Sequence, residues 1–182
     1  MARIFPVAAV LALAAAQASA FELHSPDFNA GGPMGMEQVF AGFGCTGDNI
    51  SPALEWSGAP EGTKSYVLMV HDADAPTGGA GFWHWIVTDI PASTTGLAKG
   101  AGKEGGAGLP EGAHMRPSDY GTAAWGGPCP PEGHGAHHYN FTLYAMPEET
   151  LTVPDGASIA VVGFVVNSSA LGAAKLTGTY ER

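Results

Sequence analysis

Six of the seven histidines fall between positions 71 and 138, and several stand at the ends of apolar runs beside proline and glycine. Imidazole both donates and accepts near neutral pH, so this concentration suits anion binding, proton transfer or metal ligation. Asp72-Ala73-Asp74-Ala75-Pro76 leaves one apolar run, His84 lies between Trp83 and Trp85 inside another, and His137 and Tyr139 open a third. Carboxylates at the edge of apolar sequence are costly unless donors or solvent meet them. The His84 and His137 imidazoles, the Tyr139 hydroxyl and backbone N–H groups of the Pro-Gly turns can donate to the oxygens of an anion. Asp72 cannot help an oxyanion directly; it accepts from one imidazole, fixes its tautomer and favours its charged form. Taken singly, each histidine reads more simply as a core residue bonded to a loop carbonyl. Taken together, with Pro-rich turns on both sides, they outline a pocket.

Other chemistries fit less well. His134, His137 and His138, with Asp72 or Asp74, offer metal ligands, but His-x-x-His-His runs from a Gly-rich turn into a strand, which scatters the rings. No serine stands in a Gly-x-Ser-x-Gly elbow, so a hydrolase lacks its nucleophile and no catalytic residue is assigned. Gly100-Ala101-Gly102-Lys103-Glu104-Gly105 matches a dinucleotide fingerprint in letters only, because it follows a polar turn and precedes more glycine instead of a helix. The formal charge of −10 repels a phosphate backbone, which sets nucleic acid aside as a partner. No cofactor is called for.

The elements that must position these groups are strands. Gly and Pro make up 41 of 182 residues, yet four Trp, eight Phe and regular apolar runs accompany them, which favours a turn-rich β protein over disorder. Arg3 followed by the apolar stretch Ile4 to Ala16 and by Ala18-Ser19-Ala20 reads as a secretory signal peptide over residues 1–20, leaving residues 21–182 as a single domain in a periplasmic or secreted setting. That apolar run is too short for a membrane span, and no second one reaches membrane length. In an oxidising compartment Cys45 and Cys129 suggest one structural bridge, with two buried free thiols as the alternative. Closing that loop restricts the unfolded chain by roughly 4 to 5 kcal/mol in the entropy model.

Ser65 to His71 is continuously apolar and reads as a central strand covered on both faces; Phe82 to Ile90 is a second strand. Tyr139 to Met146 is a third, with Tyr139, Phe141, Leu143 and Ala145 on one face. Shorter candidates are Phe21 to His24, Ala53 to Trp56 and Lys175 to Tyr180. Asp155 is a candidate cap for a helix through Ala157 to Leu171, stopped by Gly172. Pro91 to Pro131 reads as a long irregular stretch.

Asp72-Ala73-Asp74-Ala75-Pro76, Trp83-His84-Trp85 and Gly127-Pro128-Cys129-Pro130-Pro131 leading to Gly135-Ala136-His137-His138-Tyr139 resemble the two signature regions of the phosphatidylethanolamine-binding protein family, in particular its bacterial Raf-kinase-inhibitor-like branch. The resemblance runs from about Cys45-x-Gly-Asp48-Asn49-Ile50-Ser51-Pro52 to Tyr180. It implies a mainly β fold, a β-sandwich with a short C-terminal helix and a small anion pocket at one end. The family's pocket pattern falls on Asp72, Pro76, His84, Pro130, Pro131, His137 and Tyr139. It also raises a cis isomer at Ala75-Pro76, which the sequence alone leaves a minority state. His138 departs from the pattern, since many members have Arg there.

The expected function is binding of a small anionic ligand, a phosphoryl headgroup or a carboxylate, without turnover. The alternative is a protein-interaction module that inhibits a kinase or protease; the loop from 91 to 131 offers that reading only Leu97, Leu109, Met115, Tyr120 and Trp125. With histidines titrating near pH 6.5, affinity is expected to rise on acidification through that region.

Overall fold

The computed structural model describes residues 20–182. The expected signal peptide, save its last residue, lies outside them. Eleven elements follow one another: β1 (Glu22–His24), β2 (Ala41–Gly42), β3 (Cys45–Thr46), β4 (Leu54–Ser57), β5 (Ser65–Asp72), β6 (Phe82–Pro91), β7 (Gly96–Leu97), β8 (His114–Arg116), β9 (His137–Met146), α1 (Ile159–Ser169) and β10 (Gly172–Tyr180). A five-stranded antiparallel sheet has the order β10-β9-β5-β6-β8, and a three-stranded sheet has the order β1-β4-β7.

The apolar run of β5 is explained by its place at the centre of the large sheet. Successive strand side chains point to opposite faces. Tyr66, Leu68 and Val70 join a core with Leu23, Leu54 and Trp56 of the small sheet, together with Trp85, Phe141, Leu143 and Leu176. Val67 and Met69 face the other way and pack with Ile86, Met146, Leu151 and two residues of α1, Val162 and Val166. A strand covered on both faces has no polar side to show, hence its unbroken hydrophobicity. In β9 the odd positions from His137 to Ala145 are all buried while the even ones are not, until Met146 at its end.

The sheet edges differ from expectation. Residues 91 to 131 are not wholly irregular: β7 pairs with β4, and β8 pairs with Ile86, Val87 and Thr88 of β6. Two or three residues carry too little periodicity to be seen. The helix is capped by the Ser158 hydroxyl, which accepts from the Val161 N–H, and not by Asp155. Gly172 does not stop it, because the helix already ends at Ser169 and Gly172 is drawn into β10 opposite Ala145. All peptide bonds among the described residues are trans, Ala75-Pro76 included. Gly100 to Gly105 is a loop; a side chain at Gly102 would meet the Cβ atoms of Trp125 and Ser51 at 2.6 and 2.9 Å, so the literal fingerprint reflects close packing. Cys45 and Cys129 are joined in a disulfide. Among the described residues no helix is long and apolar enough to cross a membrane.

Phe141 is fully buried, tilted against Phe28 at 5.4 Å and stacked with Trp125 at 6.0 Å between centroids. Phe141→Ala is expected to lower the free energy of unfolding by about 3–5 kcal/mol, measured by urea titration.

Candidate functional site

Asp72 closes β5 and His137 opens the neighbouring β9. Because Asp72 lies opposite Tyr139 in the ladder, His137 stands two residues along on the same face, beyond the end of the paired strand. Its Nδ1–H donates to Asp72 Oδ2 at 2.7 Å, and both side chains are almost wholly buried. The second carboxylate oxygen, Oδ1, accepts the Asp74 N–H at 2.9 Å. His137 Nε2 meets Nδ1 of the exposed His134 at 2.8 Å. Asp74 and His138 form a separate, exposed pair at 2.8 Å, and this bond holds the Asp74 carboxyl below its usual range.

His84 comes from β6 on the other side of β5. Its Nδ1–H donates to the Gly126 carbonyl at 2.6 Å. That carbonyl is held in place by Asn49, whose Nδ2–H donates to the Trp125 carbonyl at 3.2 Å while its Oδ1 accepts the Gly127 N–H at 2.8 Å. A side chain at Gly127 would collide with the Gln38 carbonyl, so only glycine lets this segment lie so close. His84 is 3% exposed, and its Nε2 is buried with no partner. Burial disfavours its charged form and brings its pKa down to about 4, against the smaller opposing pull of the Gly126 carbonyl. With Nδ1 carrying the hydrogen, the neutral ring presents a lone pair at Nε2. Sequence reasoning has the His84 imidazole donate to an anion; in the structure its Nδ1–H is directed at the Gly126 carbonyl.

A cavity of about 210 Å³ is lined by Asp72, Ala75, Pro76, Thr77, His84, Cys129, Pro130, Pro131 and His137, with three aromatic residues, Phe43, Phe82 and Tyr120. Six of the seven expected ligand-binding residues thus meet in one place. The seventh, Tyr139, is fully buried and outside the lining, with its ring edge-on to His84 at 5.0 Å between centroids. Its hydroxyl has no partner, and burial pushes its pKa up.

Sequence reasoning missed the aromatic wall. Phe82 had a signal, since it stands two residues before His84 and so shares its face. Phe43 had none: it is 76% exposed, in a left-handed backbone conformation at φ 52°, between two glycines. Tyr120 arrives on a loop and stacks on Phe43, while its hydroxyl donates to the Gly127 carbonyl at 2.8 Å. Arg182 was missed as well; its Nε–H donates to the Pro130 carbonyl at 2.6 Å and its Nη1–H to the Gly44 carbonyl at 3.0 Å, tying together the two loops that the disulfide also joins. A larger groove of about 650 Å³ lies between β6, β8 and α1 but contains none of the expected residues.

Lining side chains that bear hydrogens already use them within the protein. Thr77 donates to the Gly81 carbonyl at 2.8 Å, Tyr120 to Gly127, His84 to Gly126 and His137 to Asp72. Pro76, Pro130 and Pro131 supply apolar walls without N–H groups. The cavity is smaller than the roughly 300–1,000 Å³ of drug-sized pockets, so it suits one polar group of a ligand and not a whole lipid.

The fold and this site define a β-sandwich protein with a group-sized cavity where three strands of its large sheet end. The sequence profile of the phosphatidylethanolamine-binding protein family matches residues 24–181. The UPF0098 protein YbcL of Escherichia coli is 46% identical over 166 residues, covering 91% of this chain and 90% of its own. The UPF0098 protein YbhB of the same organism is 42% identical over 160 residues, covering 88% and 99%. The crystal structure of E. coli YbcL, described as a new member of the mammalian PEBP family, aligns with a TM-score of 0.85 at 44% identity, over 89% of this chain and 98% of that one. The chain belongs to the phosphatidylethanolamine-binding protein family.

His84 makes stability pH-dependent. Its folded pKa, about 4, lies below the ordinary 6.5, so between these values the unfolded chain binds more protons and acidification favours unfolding. The contribution is intact above pH 6.5 and is lost as pH falls toward 4. Going from pH 7 to pH 5 is expected to cost about 2 kcal/mol from this residue. Urea titrations at both pH values check it, with His84→Gln showing a shallower dependence.

Proposed function

We propose that this chain is an exported binding protein that holds the phosphoryl or carboxylate group of a small ligand in the Asp72, His84 and His137 cavity, and that it does not turn the ligand over. The observation that carries this reading is the buried Asp72–His137 pair at the cavity wall. Asp72 orients the ring through Nδ1, which turns Nε2 away from the carboxylate. His134, on the exposed turn before β9, shares a hydrogen with Nε2; a ligand oxygen enters as the acceptor of that hydrogen, and His134 swings aside or joins the contact. Pro76, Pro130 and Pro131 exclude water from the group once it is seated, which strengthens each polar contact.

The reading without turnover is supported by the chemistry of the lining. Cys129 is tied in a disulfide, the Thr77 hydroxyl donates to a backbone carbonyl, and neither stands against a base. Export is supported by the apolar N-terminal stretch ending in Ala18-Ser19-Ala20 and by the disulfide, which suits an oxidising compartment.

His137→Asn is the informative variant, because its amide keeps a donor toward Asp72 while removing Nε2. Calorimetric titration with inorganic phosphate, acetate and phosphoethanolamine at pH 5.5 is expected to show saturable binding to the wild type. The variant should bind at least about tenfold more weakly, or about 1.4 kcal/mol, with a thermal midpoint within a few degrees. Equal affinity in the two proteins would reduce His137 to a packing residue.

A further inference from the structure

Of the buried side chains that line the cavity, His84 is the one with a polar atom left without a partner, and that atom is an acceptor. Asp72 is a carboxylate whose oxygens already receive the His137 Nδ1–H and the Asp74 N–H. His84 is pinned by its 2.6 Å bond to the Gly126 carbonyl, which places its hydrogen on Nδ1 and a lone pair on Nε2. That nitrogen is screened from water and unpartnered, an arrangement that costs free energy unless something in the cavity completes it. A bare oxyanion pressed against Nε2 sets lone pair against lone pair. An oxyanion that still carries a hydrogen donates it there and keeps its charge on the other oxygens.

We propose that the pocket selects oxyanions bearing a hydrogen, phosphate monoesters in their monoanionic form, and that His84 Nε2 is the acceptor that recognises that hydrogen. This rests on the reading of the cavity as an oxyanion site and goes further by naming the ligand class. Phosphodiesters, sulfate esters and carboxylates at neutral pH lack the hydrogen, so a free phosphomonoester is preferred over the phosphodiester of an intact phospholipid.

The groups around His84 support the assignment. From β5 come Asp72, which favours a charged ring, and His71, which opposes it; from β9 comes Tyr139, beyond which lies His137; from the loop before Gly126 come Tyr120 and Trp125; and Phe82 is its neighbour on β6. Desolvation outweighs them, and the ring titrates at about 4. A ligand without a hydrogen must therefore either protonate His84 against its desolvation or leave Nε2 unpartnered, and either one lowers its affinity relative to a ligand that brings the hydrogen.

Methyl phosphate and methyl sulfate test this, since as monoanions they share shape and charge and differ by one hydrogen. Calorimetric titration of the whole mature chain at pH 5.5, where methyl phosphate is mostly the monoanion, is expected to give methyl phosphate at least tenfold tighter than methyl sulfate. Dimethyl phosphate, standing for a lipid phosphodiester, is expected to bind as weakly as methyl sulfate. His84→Gln places an amide that can donate near the Nε2 position and should bring the two monoesters within about threefold, while Tyr139→Phe leaves the wild-type preference intact. The wild-type comparison decides the matter even if His84→Gln fails to fold. Binding of methyl sulfate or dimethyl phosphate within threefold of methyl phosphate overturns the hydrogen-reading role and leaves the oxyanion site standing. Loss of the preference in Tyr139→Phe assigns that role to Tyr139 and overturns it for His84. No binding of any of the three probes overturns the oxyanion site itself, and this inference with it.

Discussion

The 2.7 Å contact between Asp72 and His137 joins the ends of two neighbouring strands where the apolar interior of the sandwich gives way to the cavity. A carboxylate this deeply buried is tolerable only when its lone pairs are occupied, and here both oxygens are. Removing one partner of such a pair typically costs about 3–5 kcal/mol, because the other is left buried and uncompensated. The pair therefore constrains its surroundings. The chain after Asp72 must turn at once to bring the Asp74 N–H back to the carboxylate, and the chain before His137 must arrive from the turn that carries His134.

His84 shows how a neighbouring group of the same residue type acquires the opposite character. His137 faces a carboxylate, whereas His84 faces a carbonyl dipole, and both are almost wholly buried. A carbonyl accepts a hydrogen as well as a carboxylate does but offers no full charge to offset desolvation, so the His84 ring stays neutral. One cavity wall thus holds two imidazoles with different tasks, and the difference is set by backbone placement around Gly126 and Gly127.

The loops that carry the rest of the wall are fastened from outside the sheet. The disulfide ties Cys129 to the short β2–β3 hairpin, and Arg182 reaches the carbonyls of Pro130 and Gly44 on the same two segments. Phe43, held between glycines in a left-handed conformation, and Tyr120 lie stacked over this junction. These are long-range contacts between irregular segments.

Periodicity and residue chemistry in the chain alone determined three of the four long strands, β5, β6 and β9, the two-sided burial of β5, the face shared by His137, Tyr139 and Phe141, and the convergence of Asp72, His84 and His137 on one pocket. These follow from local alternation and from the cost of burying polar groups, both of which are written in the order of residues. The family motifs carried Pro76, Pro130 and Pro131 into the same list. Only the tertiary structure decided which nitrogen of His84 bears the hydrogen, that Tyr139 stands behind the wall and not on it, that Phe43, Phe82 and Tyr120 complete it, and that Ser158 and not Asp155 caps the helix. The cap is a local choice between two nearby side chains, but the others depend on where a carbonyl or a ring from a distant segment comes to rest. Such a placement is fixed by packing across the fold, and it leaves no period in the sequence.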